Sequence, residues 1–125
     1  LWSLERLCLA DGLPVILERR LLVRRLCPAL TPERAAGSLY AYLADVRGLP
    51  VAGADETIAA HAAGADEARL LGIPEGAACL RVTAVATLTD GAPLWWERTL
   101  YRGDAYVFHN RLGPITRAAV GAFAP

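Results

Sequence analysis

The 125-residue chain has no methionine and no lysine, and all 13 of its basic residues are arginine. The arginine-only basic set, with abundant alanine, reads as a compositional habit of a genome and carries no function. An excess of charge of either sign is also missing: 13 acidic residues balance the 13 basic ones, for a net charge of +0 at pH 7. A balanced chain has no field to draw in nucleic acid or an anionic membrane. That excludes a free-standing DNA- or RNA-binding domain, whose footprint is a basic excess. Cysteine is sparse. Cys8, Cys27 and Cys79 stand far apart and form no C-x-x-C pair, which speaks against a zinc ribbon or a thioredoxin-type site. They read as free, buried thiols in a reducing compartment. No apolar run approaches the roughly 18 residues of a membrane span; Arg19, Arg20, Arg24 and Arg25 break the most apolar early stretch. Nothing in the first residues of the sequence reads as a signal peptide. There is no Gly-rich phosphate loop, no G-x-S-x-G and no metal-spaced histidine pair. His61 reads as a solvated residue and His109 as a strand-end residue, so no metal and no cofactor are expected. A chain that opens at Leu1 without methionine is expected to be a piece of a longer protein.

Hydrophobic residues make up 54% of the chain and charged residues 21%. That composition excludes disorder for most of it. The length suits one domain, burying roughly two-thirds of its unfolded surface. Trp2–Leu9 and Val15–Leu22 flank Asp11-Gly12 and predict a β-hairpin. Thr31 before Pro32 and Glu33 predicts a helix cap and first turn. The spacing of Leu39, Tyr40, Leu43 and Val46 predicts a helix of about ten residues with Ser38 as its N-cap. Residues 50–63 alternate loosely and are read as a strand. Ala65–Leu71 predicts a short helix that Gly72 ends. Cys79–Thr89 and Leu94–Tyr101, around Asp90-Gly91, predict a second hairpin. Tyr106–Leu112 predicts a last strand, and the rest reads as a tail. The sum is an α+β domain on a mostly antiparallel sheet with helices on one side.

Alternate residues of a strand share a face. Trp95, Glu97, Thr99 and Tyr101 therefore lie together, opposite Leu94, Trp96, Arg98 and Leu100. Such a face fits a small-molecule cavity of aromatic rings with a few polar groups, and equally fits ordinary sheet packing. Arg6 sits among apolar neighbours on the first strand, where a partly buried guanidinium needs a partner. Glu18 is the candidate. A three-residue hairpin loop sets Arg6 opposite Glu18, and a two-residue loop sets it opposite Leu17. The pair reads either as a structural ion pair or as a ligand clamp. Ser38 reads either as a plain cap or as the start of an anion-accepting helix end.

Five segments, in order, resemble one known family. They are Leu9-Ala10-Asp11-Gly12-Leu13-Pro14-Val15 with Glu18; Cys27-Pro28-Ala29-Leu30; Gly37-Ser38-Leu39-Tyr40 with Leu43; Leu70-Leu71-Gly72-Ile73-Pro74; and Asp90-Gly91-Ala92-Pro93 with Tyr101-Arg102-Gly103-Asp104-Ala105-Tyr106 and Phe108. Together they resemble UTRA domains, the effector-binding domains of HutC-type regulators in the GntR transcription-factor family. The resemblance covers residues 1–112 and leaves 113–125 as a C-terminal tail. It implies a fold similar to chorismate lyase: a six-stranded antiparallel sheet with short helices packed around it and a buried pocket. It implies a cytoplasmic, non-enzymatic homodimer that binds a small-molecule effector. Operator DNA would be bound only through an N-terminal winged helix-turn-helix absent from this chain. Carried over position by position, the resemblance implies ligand contacts from Arg6, Glu18, Ser38, Tyr40 and Tyr101. Two positions depart from the family pattern. Cys8 replaces a second arginine that helps hold sugar phosphates, and Trp95 replaces an acidic residue. Both changes imply an effector less polar than a sugar phosphate, with one carboxylate for Arg6 and a flat, apolar or cationic part for Trp95. Asp104 is expected to tie down its loop. Two rivals are a dimerisation module with a vestigial pocket, which a filled core around Trp95 and Tyr101 would favour, and a chorismate-lyase-like enzyme.

Overall fold

Asp11 and Gly12 both take positive φ, 50° and 78°, the backbone of a two-residue turn whose twist matches its strands. Around them the computed structural model folds β1 (Trp2–Ala10) against β2 (Leu13–Leu22). It describes residues 1–37, 39–43, 48, 51–109, 111 and 113, and of Tyr40 only the backbone. A plain two-residue hairpin would set Arg6 against Leu17. It does not, because the register shifts between Cys8 and Leu9: Leu9 pairs with Pro14, Cys8 with Ile16, and Val15 is the extra residue. This β-bulge advances the ladder by one and sets Arg6 opposite Glu18. Both alternatives read from the sequence were thus half right: the loop has two residues, and the pairing is that of three.

β3 (Val51–Ala62), β4 (Ala78–Leu88) and β5 (Pro93–Arg102) complete one sheet, every pair antiparallel, in the order β1-β2-β5-β4-β3. The α+β class holds, but the sheet has five strands among the described residues, not six. Residues 106–109 of the expected last strand are not in a strand. Tyr106 and Phe108 instead turn their rings edge-on against Tyr101, each at 5.1 Å, and Val107 between them is 89% exposed. Aromatic packing wins over strand pairing there.

The helices do not share one side. α1 (Pro32–Ala36) is capped by Thr31, whose side chain accepts the Arg34 N–H. α2 (Leu39–Ala41) leads into Tyr42 and Leu43; Ser38 and residues 44–47 of the expected helix lie outside the described residues. Leu39, Tyr42 and Leu43 pack with Leu22, Leu88, Leu94 and Trp95 in one core cluster. α3 (Ala65–Leu71) packs Ala68 and Leu71 with Leu17, Cys79 and Leu100 in another. Leu17 and Leu22 differ in parity on β2, as do Leu100 and Trp95 on β5, so the two clusters occupy opposite faces of the sheet. Loop ties hold the ends. The Trp2 indole donates to the Cys27 carbonyl at 2.9 Å, and Arg102 grips Asp104 through both carboxylate oxygens at 3.0 and 2.8 Å. Among the described residues no helix is long and apolar enough to cross a membrane.

α3 is anchored at its start by Glu67, which accepts the Gly64 N–H at 2.9 Å and lies 2.8 Å from His61 Nε2. Burial pushes the Glu67 carboxyl up, but the hydrogen bonds from His61 and Gly64 outweigh it and hold the group below the usual glutamate range. The stability this lends is present above that range and is lost as pH falls through the lowered folded-state value. Glu67→Gln is therefore expected to melt below wild type at pH 7, with the gap in Tm closing by pH 3. Gly103 sits so close to β4 that an added Cβ would lie 2.5 Å from the Ala78 carbonyl oxygen. Gly103→Ala is expected to cost about 1–3 kcal/mol by overpacking, read from urea unfolding.

Candidate functional site

On the face covered by α1 and α2, registered pairs line up across β1, β2 and β5. Arg6 lies beside Glu18 and Glu18 beside Thr99; Arg20 lies beside Glu97, and Ile16 beside Tyr101. Cross-strand neighbours on one face stand within reach of each other's long side chains, and a row of charge results. Arg6 donates from Nε to Glu18 Oε2 at 2.7 Å, with Nη2 at 2.6 Å from the same oxygen. Arg20 donates from Nε to Glu18 Oε1 at 2.8 Å and from Nη2 to that same oxygen. Arg20 Nη2 also lies 3.3 Å from Glu97 Oε2, which accepts the Thr99 hydroxyl at 3.2 Å. Glu18 and Arg20 are each only 7% exposed. The Arg20 guanidinium stands 4.8 Å over the Trp95 ring, a cation–π contact in a dry setting.

Arg6 does a second job. Its Nη1 donates to the carbonyls of Ala35 and Gly37, both at 3.0 Å. Those carbonyls end α1 and have no helical partner, so Arg6 ties the end of α1 to the sheet. With Glu18 on its other edge, one Nη2 hydrogen of Arg6 is left without a partner among the described residues. Cys8 lies two residues on, half-buried on the same face opposite Ile16.

Tyr101 closes the row at the other end. Burial pushes its hydroxyl pKa up, and the charges of Glu97, Glu18 and Glu56 add to the effect. The phenol therefore stays protonated at neutral pH, both a donor and an acceptor. Trp95 is 2% exposed and belongs to the core with Leu22 and Leu94. Its contact with the polar row is through Arg20. Ser38 and the Tyr40 side chain lie outside the described residues.

The fold thus brings together Arg6, Cys8, Glu18 and Tyr101 of the expected set, with Trp95 beneath. Sequence reasoning left out Arg20, which the same alternation that links Glu18 to the site would have placed beside it. It put Glu97 and Thr99 on the right face without giving them a role. A depression of about 360 Å³ lies next to this row, between Trp2, Ser3, Leu4 and Glu5 of β1 and Leu30, Thr31, Pro32 and Ala35. Its volume falls within the range of ligand sites, but none of its walls is Arg6, Glu18 or Tyr101. Ala35 is the link, since its carbonyl takes the Arg6 N–H. The charged row, not the depression, is where side-chain chemistry is concentrated.

Five antiparallel strands thus carry a row of ion pairs on the face under α1 and α2. The sequence profile of the UTRA domain matches residues 1–107, and the chain belongs to that family. It is 28% identical over 106 residues to the HTH-type transcriptional repressor NagR of Bacillus subtilis, a match covering 85% of this chain and 44% of that repressor. The chain thus spans less than half the length of this relative. Among solved structures, a GntR-family transcriptional regulator from Enterococcus faecalis is 28% identical with a TM-score of 0.82, covering 88% of this chain and 79% of that one. The effector binding domain of the B. subtilis trehalose repressor is 26% identical with a TM-score of 0.77, covering 92% and 80%.

The row also carries a stability signature. Removing one partner of a buried pair leaves uncompensated charge and costs about 3–5 kcal/mol. Glu18→Ala removes the carboxylate that Arg6 and Arg20 share and is expected to fall in that range. The exposed Glu5–Arg19 pair on the other face, at 2.7 Å, provides the contrast: Glu5→Ala is expected to cost no more than about 1 kcal/mol. Chemical denaturation of the two variants beside wild type checks both.

Proposed function

We propose that the chain is the effector-sensing and dimerising domain of a cytoplasmic GntR-type transcriptional regulator, with no catalytic activity of its own. In this reading the domain spans residues 1–112, with 113–125 as a tail. Operator DNA is held by a winged helix-turn-helix that this chain does not include. The balanced charge supports that division, since DNA contact would then belong elsewhere. The kinship with a repressor and with an effector binding domain supports it as well. The likeness to chorismate lyase is one of fold, which carries no activity by itself.

The observation that carries the reading is the row Arg6–Glu18–Arg20–Glu97, in which Glu18 and Arg20 are buried and Arg6 and Glu97 half-buried. A sheet face under helices is ordinarily apolar, and an ion pair placed there is no more stabilising than well-packed hydrophobic residues. Its presence supports a ligand site, with Arg6, Cys8, Glu18, Ser38, Tyr40 and Tyr101 as lining and Trp95 as the support beneath Arg20. With Glu18 on one edge and the Ala35 and Gly37 carbonyls on another, Arg6 suits a single carboxylate oxygen better than the bidentate grip a phosphate takes. The effector is therefore read as a carboxylate less polar than a sugar phosphate. Because Arg6 also holds the end of α1, a ligand drawing on Arg6 acts on the hydrogen bonds that place the helix. Binding then favours one arrangement of the domain pair over another, and a few kcal/mol of differential affinity is enough to move operator occupancy.

A thermal-shift screen of the 125-residue chain tests this, with sugar phosphates, aromatic and aliphatic carboxylates, amino acids and fatty acids on the panel. A carboxylate at about a hundred times its Kd should stabilise by roughly 2.7 kcal/mol, a shift of several degrees. That shift should be lost in Arg6→Ala and weakened in Tyr101→Phe. A sugar phosphate as the strongest hit would overturn the reading of Cys8.

A further inference from the structure

Arg98 is a charge without a counter-charge. It stands on β5 directly opposite Arg19 of β2, on the sheet face away from the charged row. Like charges directly opposite are destabilising. Arg19 is compensated: its Nε donates to Glu5 at 2.7 Å, and its Nη2 lies 3.3 Å from Asp66. Arg98 is half-buried, and its Nε is buried with no hydrogen-bond partner. Its guanidinium makes no ion pair among the described residues. Thr83, its neighbour on β4, offers a hydroxyl and no charge. The Arg98 charge is felt by Glu67 at the start of α3, but that carboxylate is taken by His61 and Gly64. Asp55, on the same face of β3, lies opposite Val85 and pairs with neither arginine. A cation drawn out of water in this way needs a partner that the described residues do not supply.

Beside the two arginines the charge gives way to an open apolar floor. Leu21, Trp96 and Val85 stand side by side across β2, β5 and β4, and are 38%, 40% and 39% exposed. α3 covers the other end of this face, over Leu17, Cys79 and Leu100. The three uncovered residues wall a depression of about 230 Å³ together with Leu1, Val23 and Pro93. A second depression, of about 270 Å³, shares Leu21 and Trp96 with the first and takes in Arg19. A contiguous apolar surface rimmed by charge marks a binding site more often than an idle face.

We propose that this face holds a second ligand site, one that takes a small carboxylate with an apolar body. The carboxylate meets Arg98, and the body lies on Trp96, Leu21 and Val85. None of these four residues belongs to the charged row, so the site stands apart from the effector reading. One uncompensated guanidinium calls for one negative charge, and its planar fork matches the two oxygens of a carboxylate. A phosphate dianion would bring a charge too many beside an apolar floor, because Arg19 is already balanced by Glu5 and Asp66. The Trp96 indole supplies a broad apolar surface for the rest of the ligand.

Titration of the isotopically labelled 125-residue chain with cyclohexanecarboxylate, followed by NMR, tests this. The chain has three tryptophans and so three indole N–H signals, and Trp96→Phe identifies the one that reports this face. In wild type the Trp96 signal is expected to move and saturate. The apparent Kd should rise by about tenfold or more in Arg98→Gln, which removes the charged partner. It should stay within about twofold in Arg6→Ala, which alters the distant row alone. Cyclohexanecarboxamide, the uncharged match, should leave the signal in place. Arg98→Gln also removes the charge facing Arg19, so the variant is expected to melt no lower than wild type. A Trp96 signal that the acid does not move, or that the carboxamide moves equally, would overturn the site. A response lost in Arg6→Ala and kept in Arg98→Gln would overturn it too, and would put the acid on the charged row, leaving the effector reading intact.

Discussion

Glu18 is the residue on which the rest of the structure turns. One carboxylate oxygen takes Arg6 and the other takes Arg20, so a single side chain couples the first strand, the second and, through Glu97, the fifth. Burying ions costs several kcal/mol each, and only close geometry with further hydrogen bonds repays it. Here the repayment is visible: two arginines, a threonine hydroxyl and two helix-end carbonyls share the load. Such an arrangement is strict. Each member depends on another in the row, and none can be re-aimed alone.

The two apolar clusters gain their meaning from that row. They hold the sheet from opposite faces at staggered positions, one under α2 and one under α3. The stretch of face between Trp95 and Tyr101 is left to polar groups. A domain that needed only to fold would have run its hydrophobic core through it. Trp95 marks the border, with its ring in the core and a guanidinium across its face. Tyr101 marks the other border, packed edge-on by Tyr106 and Phe108.

Much of this was legible in the sequence. Both Asp-Gly turns, the five strands and the short α3 followed from alternation and turn chemistry, because those signals are local. The strand at residues 51–62 was legible despite poor propensity, since its pairing with β4 overrides the preferences of alanine and glycine. The expected strand at residues 106–112 was not borne out over 106–109, because alternation says nothing of aromatic partners standing elsewhere. The placing of helices on both faces was hidden for a similar reason: a short helix has an apolar stripe but no marker of which sheet face receives it. Arg6 and Glu18 were recognisable as candidates by charge among apolar neighbours. Arg20 was passed over as one of a run of arginines, although alternation sets it on the face of Glu18 while Arg19 faces out to Glu5 and Asp66.

The bulge at Val15 bears on how such chains are compared with one another. Its extra residue is taken up outside the ladder. One residue more or less between Gly12 and Ile16 therefore alters the bulge and leaves the pairing alone. The count from turn to glutamate is free to drift by one while the glutamate keeps its arginine. Lining up related chains on a fixed spacing from the Asp-Gly turn would shift Glu18 off its counterpart in any chain with a regular hairpin. Lining them up on the arginine–glutamate pair would not.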